Sequence, residues 1–171
     1  MMTYTRTPIS LADPFDLDAV KQHARIDGDY DDMAVAVMAR AAAREIEAHS
    51  ELALLRQLIT LTVNAGHGPI RLPIGPIAPN SAVTVLGMPL VNGIEGHMHP
   101  VLNLPDYMHG PMLVTYEAGF GDDASAIPAD LQLAIADHAA MMYDARGMTD
   151  APQGLSIAAS RIADRYRRVA V

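Results

Sequence analysis

The sequence contains no cysteine and no tryptophan. The missing thiols exclude disulfides, thiolate nucleophiles and cysteine-ligated zinc together. Aromatic residues make up only 5% of the chain, so a core must come from Ala, Val, Leu, Ile and 11 Met, whose flexible thioethers suit irregular packing. Positive charge is also scarce. The chain has 12 Lys and Arg against 20 Asp and Glu, for a net charge of -8. That balance argues against a protein that grips nucleic acid, because phosphate affinity is drawn from Lys and Arg. No apolar run approaches the roughly 18 residues of a membrane span, and the opening MMTYTRTPIS lacks an apolar signal-peptide region. Nucleophile elbows, phosphate loops and dinucleotide fingerprints are missing as well. Asp137 and His138 adjoin within a helical pattern, where neighbouring residues do not face each other. The expectation is a protein without enzymatic activity or cofactor, made inside the cell, with no membrane association.

At 171 residues, half of them hydrophobic, the chain is about one domain and long enough to bury a core. Its best-punctuated stretch runs from Met112 to Gly147. The β-prone run Met112 to Tyr116 ends at Gly119-Phe120-Gly121, where glycine admits positive φ. Pro128 and Asp130 then open a helix, the proline needing no N–H there and the aspartate complementing the helix dipole. Leu131, Ala134, Ile135, His138, Ala139, Met142 and Tyr143 recur at spacings of three and four, a single apolar stripe, and Arg146 and Gly147 close it. His138 on that stripe reads as a satisfied core or interface histidine.

Upstream, residues 1–16 read as an extended arm, either frayed or ordered against a neighbouring subunit. Pro14 and Asp16 introduce a short helix from Leu17 to Arg25. Asp27, Asp29, Asp31 and Asp32 mimic the start of a calcium loop. The glycine and glutamate that such a loop requires are replaced by Asp32 and Met38, so the carboxylates read as helix-start charges instead. A second helix follows from Asp32 to Ser50. Its expected inner face is Val35, Met38, Ala41, Ala42, Glu45 and Ile46, with Arg40 and Arg44 paired to Glu45 and Glu47.

The period then changes to two. Leu58 to Asn64 alternates as a strand, and Ala82 to Met88 is the next candidate. Pro73, Pro76 and Pro79 keep the intervening segment off a central ladder, as an edge or extended loop. From Leu90 to Gly110 a Gly- and His-rich stretch reads as a projecting loop, with a short strand near Val101 to Leu104. His97, His99 and His109 there are the weak candidate metal ligands. After a polar break at Met148 to Gly154, an amphipathic segment from Ile157 to Arg168 carries Arg161, Arg165, Arg167 and Arg168.

TYEAGFG, IPADLQLAI and MMYDARG, in that order, resemble segments of the small head–tail connector (adaptor, or head-completion) proteins of tailed bacteriophages and phage-derived gene transfer agents. Leu17 to Asp27, Ala41 to Glu51, Arg71 to Ile77 with Val83 to Val85, and Tyr166-Arg167 extend the likeness. Ala24 stands where the family usually has Leu, and His49-Ser50 where it usually has Thr-Gly.

The resemblance implies an α+β fold. A helical layer, made by residues 17–51 and a central helix at 128–147, would hold a small antiparallel β insertion at 57–118 and carry a C-terminal helical tail at 155–171, all in one adaptor domain. It implies a structural protein at the head–tail junction of a virion or gene-transfer-agent particle, assembled in the bacterial cytoplasm. Copies would form a ring of about a dozen, between the portal protein and the next tail-side ring (a stopper or head-closure protein), with DNA passing through without specific binding. Ile162, Arg165, Tyr166, Arg167 and Arg168 would form the portal-docking tail, the alternative being a terminal helix packed on its own domain. Arg71, Pro73 and Pro76 would make ring or next-ring contacts. The competing readings are a small metal-binding protein using the histidine loop and a monomeric adaptor unrelated to phage.

Overall fold

The structure is a computed structural model and describes residues 2–66, 68–90, 93–105, 107–150 and 153–168. The fold is α+β, with antiparallel sheets and four helices among the described residues. The chain divides into two compact units, one of residues 1–11 and 51–122, the other of residues 12–50 and 123–171.

The first unit is the β unit. Strands β1 (Thr3–Pro8), β2 (Gln57–Ala65), β4 (Thr84–Val85), β5 (Met88–Pro89) and β8 (Gly110–Ala118) form a five-stranded sheet in the order β1-β2-β8-β4-β5. Strands β3 (Ile70–Arg71), β6 (Ile94–Glu95) and β7 (Val101–Leu102) form a second sheet in the order β3-β7-β6. Register sets Ile59 opposite Tyr116, Leu61 opposite Val114 and Val63 opposite Met112, so the large apolar side chains share one face. That face is buried with Leu72, Ile74, Val85 and Leu102, each large aliphatic contributing about 1.5–3 kcal/mol relative to exposure. Thr60, Thr62 and Thr115 fall on the other face by the same alternation.

Several expectations change here. The arm is not frayed, because Thr3–Pro8 pairs along its length with β2, and the Arg6 guanidinium donates to the Leu52 carbonyl at 2.8 Å. Alternating Thr and Tyr is a weak signal that only the waiting edge of β2 makes decisive. The strand expected over Ala82 to Met88 is instead a hairpin. Leu86 (φ 52) and Gly87 (φ 80) make its turn, a primed geometry in which leucine is unusual and which the sequence does not announce. The segment at Pro73 to Pro79 is extended, yet it does not project. Leu72, Ile74, Pro76 and Ala78 are buried, and the Tyr116 hydroxyl brackets Ile74, accepting from its N–H at 3.2 Å and donating to its carbonyl at 3.0 Å. In the stretch after Leu90 the short strand expected near Val101 is present as β7, with Leu102 fully buried, and β6 is a further strand where the sequence reads as loop.

Gly119 ends β8 at φ 137, and a Cβ there would lie 2.5 Å from the Leu55 carbonyl oxygen. Glycine is thus required twice over, by conformation and by space.

The second unit is helical, built from α1 (Leu17–Ala24), α2 (Asp32–Ser50), α3 (Ala129–Asp144) and α4 (Ile157–Tyr166). Asp16 caps α1 through the Asp18 N–H at 2.9 Å. The buried stripe of α2 is Val35, Ala36, Ala39, Ala42, Ala43, Ile46 and Ser50. The helix is therefore rotated from the expected face, with Met38 and Ala41 half-buried and Glu45 exposed. Alanines on every side of α2 leave its periodicity weak, and close packing of small residues selects the face. Arg40 pairs with Asp13 at 2.7 and 2.8 Å rather than within its helix. On α3 the expected stripe holds: Leu131, Ala134, Ile135, His138 and Ala139 are buried, and Met142 and Tyr143 are half-buried.

The acidic run before α2 is used in ties within this unit. Lys21 reaches Asp32 at 2.5 Å, and the Tyr143 hydroxyl donates to Asp31. That hydrogen bond, with the nearby Arg146, holds the Asp31 carboxyl below its usual range.

Candidate docking surface

The basic tail folds as α4. Ser156 caps it, its Oγ accepting from the Ala159 N–H at 3.2 Å. The inward face is small, consisting of Ala159, Ile162 and Ala163. Polar ties supplement it at three levels. At the start, the Ser156 Oγ donates to Asp137 Oδ2 at 2.6 Å, and its N–H donates to His138 Nδ1 at 3.2 Å. In the middle, His49 Nε2 lies 2.7 Å from Asp164 Oδ1. At the end, the Tyr166 hydroxyl donates to Asp130 Oδ1 at 2.7 Å and Arg165 to Asp130 Oδ2 at 3.2 Å. Burial and the Asp130 carboxylate push the Tyr166 hydroxyl up to about 12.

These contacts sort the tail residues singled out in the sequence. Ile162 points into its own unit, and Tyr166 is half-buried against Asp130. Arg165 keeps most of its side chain in solvent despite the Asp130 contact, and Arg167 is exposed. Arg168 is half-buried. The outward line of the helix is Ile157, Arg161 and Arg165, spaced four apart, with Ile157 82% exposed. Ile157 and Arg161 are absent from the tail set expected from the sequence, because the YR ending draws attention to the last turn. The i, i+4 spacing from Arg165 back to Ile157 is the signal that would have found them. A shallow groove on this side of the helix is lined by Ala158, Arg161, Ile162 and Arg165.

The other sequence candidates are dispersed over the β unit. Arg71 is exposed on β3, Pro73 is half-buried and Pro76 is buried in the packed segment. A Cβ on the preceding Gly75 would meet the Met98 carbonyl oxygen at 2.0 Å. His97 and His109 are exposed and His99 is half-buried. Among the described residues no three His, Asp or Glu side chains gather into a metal-holding group. No described helix is long and apolar enough to cross a membrane.

No known family model and no curated protein matches this chain. Solved structures share its fold from end to end. A chain from the neck of an empty gene transfer agent (GTA) particle computed with C6 symmetry is similar at a TM-score of 0.76 and 23% identity, over 99% of this chain and 97% of that one. One from the virion of a native GTA particle is similar at 0.74 and 24%, over 99% and 97%. One from the neck of a native GTA particle computed with C12 symmetry gives 0.67 and 25%, over 100% and 97%. These three structures come from GTA particles and their necks, in agreement with the head–tail connector resemblance carried by the sequence motifs.

Proposed function

We propose that this protein is a structural component of the neck of a phage-like particle of the gene-transfer-agent kind, and within it the adaptor. In this reading copies form a closed ring, of about a dozen by the family's pattern, between the portal protein and the next tail-side ring, with DNA threading the middle. The protein does no catalysis, and it is assembled in the bacterial cytoplasm into the particle. The observation that carries this reading is the end-to-end likeness to GTA neck chains. Rotational symmetry in two of those necks supports self-association into a ring.

The docking surface toward the portal is the outward face of α4, Ile157, Arg161 and Arg165 with Arg167 beyond it. A basic strip on a chain of net charge -8 suits an acidic partner surface. Arg71 and Pro73 are the ring or next-ring contacts that the fold leaves accessible. The same net negative charge suits a channel that repels phosphates and lets DNA slide.

Native mass spectrometry across a concentration series, with and without the portal from the same gene cluster, tests the reading. Ring-sized oligomers, formed alone or only with portal, are expected. A monomer indifferent to the portal at all concentrations would overturn it in favour of a monomeric adaptor.

A further inference from the structure

We infer that Asp137, His138 and Ser156 form a positioning node for α4, and that a proton taken up by His138 frees the start of that helix. The purpose of the node rests on the docking-tail reading, while its geometry stands without it. The buried side chains of α4 are Ala159, Ile162 and Ala163, with Tyr166 half-buried at its far end. That is little apolar area to offset the entropy of ordering ten residues, so the polar ties at its start contribute to where it sits.

The decisive tie is at His138, which is 1% exposed. Its Nδ1 accepts from the Ser156 N–H at 3.2 Å, and its Nε2 faces Glu45 Oε2 at 3.0 Å. A nitrogen that accepts carries no proton, so the ring is held as the neutral Nε2–H tautomer, donating to Glu45. A second proton has only Nδ1 to go to. There it would confront the Ser156 N–H, donor against donor, and strip a buried amide of its acceptor. Ser156 cannot shift alone, because its Oγ also joins the Asp137 carboxylate to the first turn of α4.

The surrounding charges modify this without reversing it. From α2, Glu45 attracts an imidazolium, but its side chain is 47% exposed and solvent screens it. From α1, His23 lies 3.6 Å from Asp137. Between α2 and α4, His49 meets Asp164 at 2.7 Å. Both outer histidine pairs are partly exposed, so solvent screens them. The clash at Nδ1 is buried and has no such relief. Acidification therefore loosens the first turn of α4 while the rest of its unit stays in place.

Amide hydrogen exchange read by mass spectrometry on the full chain, corrected for intrinsic rates from pH 8 to pH 5, tests the node. The opening constant of residues 156–160 should rise at least about tenfold on acidification while α2, the last turn of α4 and the β unit keep their protection. His138→Asn places a non-titrating amide oxygen near the Nδ1 position and should abolish the step. A flat wild-type profile, or the same step in His138→Asn, would overturn the inference, the latter passing the effect to His49 or His23. Should that variant fail to fold, the ring nitrogens of wild-type His138 can be read directly by NMR. An Nδ1 carrying the proton at neutral pH refutes the node, and an unprotonated accepting Nδ1 supports it. An acid step in a protein that never binds portal leaves the node standing and removes the docking reading.

Discussion

At the scale of single residues, Tyr116 shows how one polar atom fixes a path for the backbone. It lies fully buried in β8, yet its hydroxyl satisfies both backbone groups of Ile74. The prolines around that segment deprive it of a ladder of its own, and the phenol supplies what the ladder does not. Tyr116→Phe keeps the ring and removes both bonds, leaving a buried N–H and carbonyl unpaired. A loss of about 1–3 kcal/mol is expected, read as a lower denaturant midpoint at unchanged m-value. A variant as stable as the wild type would mean that Ile74 finds other partners. Gly119 acts by space instead, since its missing side chain lets the end of β8 pass the Leu55 carbonyl.

At the scale of elements, α4 is the segment whose attachment is most open to control. Its far end hangs on Asp130, shared by Tyr166 and Arg165. The Tyr166 hydroxyl is raised to about 12 by burial first and then by that carboxylate. Its stabilising contribution is therefore complete below the ordinary tyrosine range, near pH 10, and is lost as pH climbs through about 12. In an alkaline titration followed by tyrosinate absorbance, one tyrosine should ionise late and coincide with release of α4. Tyr143 is raised too, by its bond to Asp31, so the comparison with Tyr166→Phe identifies the step. A late ionisation of equal amplitude in that variant would assign it elsewhere.

The outward face of the same helix carries the docking prediction. Arg161→Glu with Arg167→Glu should reduce portal binding at least tenfold, that is by about 1.4 kcal/mol or more, with unchanged circular dichroism and melting temperature. These two positions are cleaner than Arg165 and Arg168, which already have partners of their own. Full binding by the double variant would exclude α4 as the portal contact.

At the scale of the whole molecule, charge bears on the proposed DNA channel. A chain of net charge -8, repeated around the proposed ring, would have little to offer a phosphate backbone. In a gel-shift or anisotropy assay at low salt, the assembled protein should show no retention of duplex DNA. Binding that weakens steeply with salt would reveal a basic lumen and contradict the sliding-channel proposal.

The strongest periodicities, in α3 and in β2 with β8, were legible in the sequence because a stripe or an alternation of large apolar residues has only one face to bury. Glycine and proline marked the end of β8 and the start of α3 for the same local reason. The buried setting of His138 followed from its place on the α3 stripe, and the motif order pointed to the connector resemblance. What only the tertiary structure decided depended on partners distant in sequence. β1 becomes a strand because β2 lies beside it, and α2 turns its alanines rather than Met38 inward because small residues allow close approach. Leu86 adopts a positive φ because β5 folds back on β4 through a two-residue turn. The node at His138 joins residues of α2, α3 and the turn before α4, which no spacing along the chain would bring together. Local chemistry is written residue by residue, but a hydrogen bond between distant segments exists only once packing has placed its donor and acceptor within reach.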